Sequence, residues 1–130
     1  MIRHILLIDD DKDDAGIFED ALTEINSSVI FRYLDNGKKI FDTLNRMEPL
    51  PQIIFLDVNM PSVSGWDCLR LLKSNDAYRH IPVIMFSTSS HQKEADIASD
   101  LGAYKFMAKP HSYTDLKKML ANLLNSIEGC

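Results

Sequence analysis

The chain has 130 residues and a mass of 14.8 kDa, and 45% of its residues are hydrophobic and 25% charged. This size and balance are typical of one soluble globular domain, and no apolar run approaches the roughly 20 residues of a membrane helix. The net charge of −5 argues against non-specific nucleic-acid binding, and the two cysteines form neither a disulfide framework nor a zinc motif. We therefore expect a single cytoplasmic domain over residues 1–130, with no direct contact to nucleic acid or membrane.

Short apolar runs alternate with amphipathic stretches along the whole chain. The first run, at residues 5–8, ends at the acidic residues 9–11, and helical spacing of apolar residues follows over 18–25. A second strand is predicted at 29–34, and a second helix over 40–47 precedes two prolines. This half of the chain therefore alternates strand and helix.

The purest apolar run lies at residues 53–56 and ends at Asp57. Because apolar residues occupy both faces of this run, it predicts a central strand that is covered on both sides. A loop over 59–65, rich in proline and glycine, separates it from a third helix that begins near Trp66.

The last part of the chain repeats the alternation. A fourth strand is predicted over residues 82–86, followed by a weak helix over 95–101 that Gly102 closes. A fifth strand over 104–108 precedes the clearest amphipathic helix, over 116–127. Five strand–helix units of this kind predict an α/β fold, with a parallel sheet and helices on both faces.

Chemically active side chains follow the predicted strands. Asp9 and Asp10 follow the first, Asp57 the third, Ser87 the fourth and Lys109 the fifth. In open α/β sheets the ligand site lies beyond the carboxyl ends of the strands, so these side chains are expected to converge. Clustered carboxylates repel one another and favour a hard cation such as Mg²⁺.

Around such a cluster, a lysine and a hydroxyl donor suit a tetrahedral dianion, and a carboxylate can act as the nucleophile that forms an aspartyl-phosphate. Each residue also has a purely structural interpretation. Aspartates after a strand commonly cap a helix, Ser87 and Thr88 can do the same, and a lysine–proline pair is usually an exposed turn. Only their joint occurrence at four strand ends favours the phosphoryl site.

Through these strand-end residues, the chain resembles the bacterial response regulator receiver domains, the CheY-like family, over nearly its whole length. The resemblance rests on five short motifs. They are Ile8-Asp9-Asp10, Leu56-Asp57-Val58-Asn59-Met60-Pro61, Gly65, the Pro82–Ser87 segment and Lys109-Pro110. It implies a flavodoxin-like, doubly wound sheet of five parallel strands in the order 2-1-3-4-5 with five helices.

The resemblance also implies a role for each acidic residue. Asp57 would accept a phosphoryl group from a sensor histidine kinase or a phosphotransfer protein. Mg²⁺ would be held by Asp10, Asp57 and the backbone carbonyl of Asn59, with Asp9 acting mainly through a bound water. Such a domain is not an enzyme on other substrates, but it promotes its own phosphotransfer and dephosphorylation.

The remaining implied roles concern the switch. Ser87 would turn its hydroxyl toward the phosphoryl group, Lys109 would pair with it, and the Lys109–Pro110 bond would be cis. Phe106, three residues before Lys109, would occupy the aromatic switch position, where tyrosine is common. Phosphorylation would then alter the surface formed by the fourth helix, fifth strand and fifth helix, and so control binding of a downstream target. The candidates for that docking surface lie around the fifth strand and the loop after it, and they are Tyr104, Lys105, Phe106, His111 and Tyr113. The alternative is that some of them only cover the edge of the core.

Three alternatives compete with this interpretation. A haloacid-dehalogenase-like phosphatase would use the Asp-x-Asp pair Asp9 and Asp11, but it leaves Asp57 without a role. A calcium-binding EF-hand is disfavoured because Asp14 stands where the loop needs glycine. The third is a receiver that docks to partners without being phosphorylated. Because the chain ends soon after the fifth helix, we expect a stand-alone receiver.

Overall fold

The structure, a computed structural model, describes residues 3–58, 60, 64–88 and 92–128. The strands are β1 (His4–Ile8), β2 (Ile30–Leu34), β3 (Ile53–Asp57), β4 (Val83–Ser87) and β5 (Lys105–Ala108). The helices are α1 (Lys12–Ile25), α2 (Ile40–Arg46), α3 (Gly65–Ser74), α4 (Gln92–Asp100) and α5 (Tyr113–Glu128), with a short 3₁₀ turn at Gly37–Lys39 before α2. The predicted elements are all present, and most boundaries lie within three residues of those predicted, whereas α1 begins six residues earlier than its predicted start at residue 18.

The strands form one parallel sheet in the order β2-β1-β3-β4-β5, which confirms the doubly wound fold. The chain leaves β1 toward β2 on one side and returns to β3 on the other, so the switch in direction lies between β1 and β3. Ile8 pairs with Leu56 in register. Asp9 and Asp57, the residues that follow this pair, therefore lie side by side at the carboxyl edge of the sheet.

The apolar runs bury both faces of the sheet, as their composition predicts. On one face, the side chains of Leu6 and Leu56 pack with residues of α2, α3 and α4. On the other face, Leu7 and Phe55 pack with residues of α1 and α5. Alternate strand residues point to opposite faces, and a strand covered on both sides must therefore be apolar at every position. Among the described helices, none is both long and apolar enough to cross a membrane.

Gly102 closes α4 as predicted, and the backbone shows why a glycine is needed. Its φ is +92°, in the left-handed region that side chains disfavour. The N–H of Gly102 donates to the carbonyl of Ser99, and that of Ala103 donates to Ala98, which is the Schellman pattern of a helix C-terminus.

The expectation of a cis Lys109–Pro110 peptide bond is wrong. Among the described residues, the cis peptide bond is Glu48–Pro49, and the bond before Pro110 is trans. The trans isomer of an X–Pro bond is favoured by about 0.5–1 kcal/mol, and tertiary contacts decide which of the two is adopted.

Candidate functional site

Three carboxylates meet at the carboxyl edge of β1 and β3. One oxygen from each of Asp9, Asp10 and Asp57 lies within 4.8 Å of the others. Asp9 is 3% exposed and Asp57 4%, whereas Asp10 is exposed. This set of hard oxygen donors fits a divalent cation, and the sheet register brings it together from residues far apart in the chain. The predicted ligand Asn59 lies outside the described residues, as does Pro61 of the same motif.

The residues around Asp9 hold it in a fixed position. Its carboxylate accepts the N–H of Asp11 at 2.9 Å, and its carbonyl accepts the hydroxyl of Tyr33 at 2.7 Å. Burial raises the pKa of Asp9, and the bonds from Asp11 and Lys109 offset only part of that rise. Asp11 itself is the N-cap of α1, because its side chain accepts the N–H groups of Asp13 and Asp14. The structural interpretation is therefore right for Asp11.

Lys109 reaches into the carboxylate cluster from the end of β5. Its backbone N–H donates to the carbonyl of Ser87 at 2.8 Å. Its Nζ lies 2.9 Å from Oδ2 of Asp9, 3.2 Å from Oδ2 of Asp14 and 3.9 Å from Oδ1 of Asp57. Burial alone would lower the pKa of Lys109, but the hydrogen bond and charge of Asp9, with the charge of Asp57, raise it to about 12. Lys109 is therefore charged at neutral pH.

Asp14 is the site residue that the sequence reasoning missed. It is the third residue after the cap Asp11, in the first turn of α1. A carboxylate there is easily explained by the helix dipole alone, so it gives no distinct signal of a contact with Lys109, 95 positions away.

Ser87 is the last residue of β4 and Thr88 follows it, next to the end of β3. Ser87 is fully buried at the end of β4, where it pairs in register with Ala108. Thr88 lines an open cleft of about 450 Å³ beside Asp57. The other residues that line this cleft are Asp10, Asp11, Lys12, Asp13, Asp14 and Lys109. The cleft is therefore lined mainly by acidic side chains, with the cations of Lys12 and Lys109 among them.

Gly65 allows α3 to begin directly against the backbone of Asp57. A Cβ at this position would lie 2.2 Å from the carbonyl oxygen of Asp57 and 2.8 Å from Cα of Val58. The N–H of Gly65 donates to the carbonyl of Val58 at 3.0 Å, and Ser64 caps the helix by accepting the N–H of Asp67. The first turn of α3 thus supports the end of β3.

Phe106 lies on β5 in register with Met85 and is half-buried. Its ring stacks on Trp66, with centroids 6.4 Å apart and planes at 14°. Of the predicted docking aromatics, Tyr104 and Tyr113 are both exposed. Tyr113 also donates its hydroxyl to Glu24 of α1, which ties α5 to α1.

Comparison with known proteins identifies the family to which the chain is similar. Residues 5–121 match the family model described as the response regulator receiver domain. A chemotaxis protein CheY homolog of Campylobacter jejuni is 24% identical over 125 residues, covering 96% of this chain and 95% of that protein. The 3′,5′-cyclic-nucleotide phosphodiesterase regA of Dictyostelium discoideum is 31% identical over 124 residues, but the chain spans only 15% of its length.

A solved structure shows the same fold with a metal. The Mn²⁺-bound form of response regulator Rcp1 superposes with a TM-score of 0.77 and 25% identity, covering 95% of this chain and 92% of that one.

Proposed function

Because the chain belongs to the response regulator receiver family and is a domain of phosphorelay signal transduction, we propose that Asp57 accepts the phosphoryl group. The observation that carries this proposal is the position of its carboxylate. Asp57 is buried at the end of the central strand, beside two further carboxylates and 3.9 Å from the ammonium of Lys109.

The reaction is transfer of a phosphoryl group from a phosphohistidine on a sensor histidine kinase or phosphotransfer protein. A carboxylate oxygen of Asp57 attacks the phosphorus, the P–N bond breaks, and the histidine leaves with that electron pair. Such a transfer needs little covalent help beyond positioning and charge neutralisation. The buried strand end positions the carboxylate, and Lys109, with its pKa of about 12, supplies a permanent positive charge for the phosphoryl oxygens.

The same edge of the sheet fits Mg²⁺. Three carboxylate oxygens within 4.8 Å of one another form a hard donor set, and Asp9, Asp10, Asp57 and the backbone carbonyl of Asn59 are the proposed residues that would hold it. When bound, the ion supplies positive charge that offsets the charge of the carboxylates and of the phosphoryl oxygens.

The switch is proposed to run from Ser87 to the surface of α4, β5 and α5. Ser87 donates its hydroxyl to the phosphoryl group, and this movement frees space between β4 and β5. Phe106, half-buried on β5 against Trp66, then moves inward. The altered surface controls binding of a downstream target protein.

Intact-mass spectrometry after incubation with acetyl phosphate and Mg²⁺ tests the acceptor. We expect one added phosphoryl group in the wild type and none in Asp57→Asn. Asp13→Asn, a matched change at a carboxylate that lines the same cleft, should still be labelled. Undiminished labelling of Asp57→Asn would refute the assignment, and a wild type that takes up no phosphoryl group would favour a docking receiver that works without phosphorylation.

NMR with beryllofluoride, a stable mimic of the phosphoryl group, tests the switch. In the wild type we expect shift changes at residues 104–106. Ser87→Ala should bind the mimic but lose most of those changes. If Ser87→Ala keeps the full set, the proposed coupling is wrong.

A further inference from the structure

Lys109 is held on the side of the site that faces α1, away from the proposed acceptor. Its ammonium lies within hydrogen-bond distance of Asp9 and Asp14, at 2.9 and 3.2 Å, whereas the oxygen of Asp57 is 3.9 Å away. An ammonium has three N–H donors, so these two bonds occupy most of its donor capacity. A phosphoryl group on Asp57 must therefore compete with bonds that Lys109 already makes.

The two partners of Lys109 differ in how easily they release it. Asp9 is 3% exposed and has little access to water that could replace the lysine. The side chain of Asp14 is 47% exposed, so water solvates its carboxylate readily once the lysine leaves. Of the two bonds, the one to Asp14 is consequently the one that a new anion displaces.

The position of Asp14 is set by the cap of α1. The side chain of Asp11 accepts the N–H of Asp14 at 3.1 Å, which fixes the first turn of the helix relative to the end of β1. The carboxylate of Asp14 therefore extends from a capped first turn of α1 to the ammonium of Lys109, 3.2 Å away.

We propose that Asp14 is a positioning residue that retains Lys109 before phosphorylation, so that the phosphoryl group on Asp57 must draw the lysine away from it. This inference rests on the proposed function of Asp57. A phosphoryl group carries about −1.5 to −2 charges and three strong acceptor oxygens, which is enough to win this competition. The free energy of the Lys109–Asp14 pair is then lost on phosphorylation, and the affinity of the site for phosphoryl mimics is lower by that amount.

The test measures beryllofluoride affinity at saturating Mg²⁺, by titration of NMR or Trp66 fluorescence signals. Asp14→Asn removes the ion pair and keeps the size of the side chain. Asp13→Asn is the matched control, because Asp13 lies in the same turn and lines the same cleft. Among the described residues, the carboxylates within 4.0 Å of Lys109 are those of Asp9, Asp14 and Asp57. The control therefore reports the general effect of removing one negative charge.

We expect Asp14→Asn to bind beryllofluoride about two- to fivefold more tightly than Asp13→Asn does, which is the range for a half-exposed ion pair. Asp14→Ser removes the same charge and should reproduce the gain. In a Lys109→Ala background the difference between Asp14→Asn and Asp13→Asn should vanish, because the pair no longer exists. A merely structural role of Asp14 in α1 would leave that difference unchanged.

Equal affinities of Asp14→Asn and Asp13→Asn would overturn the inference. So would a difference that persists without Lys109, or weaker binding by both Asp14 variants. A wild type that binds no beryllofluoride and accepts no phosphoryl group would instead refute the proposed function, and this inference with it.

Discussion

Substituting Gly65 by alanine should damage both the stability of the protein and the chemistry of Asp57. The new Cβ would lie 2.2 Å from the carbonyl oxygen of Asp57 and 2.8 Å from Cα of Val58. Neither atom moves easily, because the N–H of Val58 donates to Phe86 at 2.8 Å and its carbonyl accepts the N–H of Gly65 at 3.0 Å. Relief of the overlap must displace α3 or the end of β3.

The magnitude follows from two opposing effects. Alanine is intrinsically better than glycine in a helix by about 0.5–1 kcal/mol. Overpacking against backbone typically costs about 1–3 kcal/mol and occasionally more. Since the overlap here is with a fixed strand end, the overpacking cost lies at the upper end of that range or above it. After the helix gain is subtracted, we expect Gly65→Ala to lower the free energy of unfolding by about 1–3 kcal/mol. For a domain of this size each kcal/mol corresponds to about 3–5 °C in melting temperature.

Gly16 provides a matched control, since it also lies in a helix but a Cβ there would meet no atom within 4 Å. Gly16→Ala should stabilise the protein by about 0.5–1 kcal/mol. Urea unfolding followed by circular dichroism measures both variants, and acetyl phosphate labelling should be slower only in Gly65→Ala. A Gly65→Ala variant as stable as Gly16→Ala, with undiminished labelling, would refute the reasoning.

Three further predictions concern single groups. Without divalent metal, Asp10→Ala should raise the melting temperature by about 1–4 °C, because it relieves repulsion in the carboxylate cluster. Added Mg²⁺ should then stabilise the wild type more than the variant. A variant that melts below the wild type without metal would contradict this. In a Cys130→Ser background, Cys68 should resist thiol reagents at pH 8 until the protein unfolds. Burial, with a smaller effect of Asp67, raises the pKa of Cys68 to about 11, so only about one in a thousand of its thiol groups is a thiolate at that pH. The hydrogen bond to Glu24 raises the pKa of Tyr113 to about 12, so the stability that this bond provides is fully present below pH 10 and is lost as the pH rises through 12. The difference in melting temperature between wild type and Tyr113→Phe should therefore be constant from pH 7 to 9 and shrink above pH 10, and a constant difference up to pH 12 would contradict it.

Local patterns were enough to predict the elements of the fold. The run at residues 53–56 is apolar at every position, as a strand covered on both faces requires, and β3 is buried on both faces. Periodicity and the glycine at 102 located the helices, because a helix depends on neighbours within four residues. The strand order came from the resemblance to the receiver family and not from these patterns.

Adjacent acidic residues show where sequence reasoning stops. Asp9, Asp10 and Asp11 are chemically identical, yet Asp9 is buried beside Lys109, Asp10 is exposed at the cluster and Asp11 caps α1. Their order along the chain carries no information on these roles, because the direction of each side chain depends on how α1 leaves the sheet.

The sequence by itself determined which residue types stand at the strand ends, and thus that carboxylates, a hydroxyl and a lysine share one edge of the sheet. Only the tertiary structure decided the distances among them. The contact of Lys109 with Asp14 and the approach of Gly65 to Asp57 arise from the docking of α1 and α3 against the sheet. Such contacts are set by the packing of whole elements against one another, and no local pattern in the sequence encodes that packing.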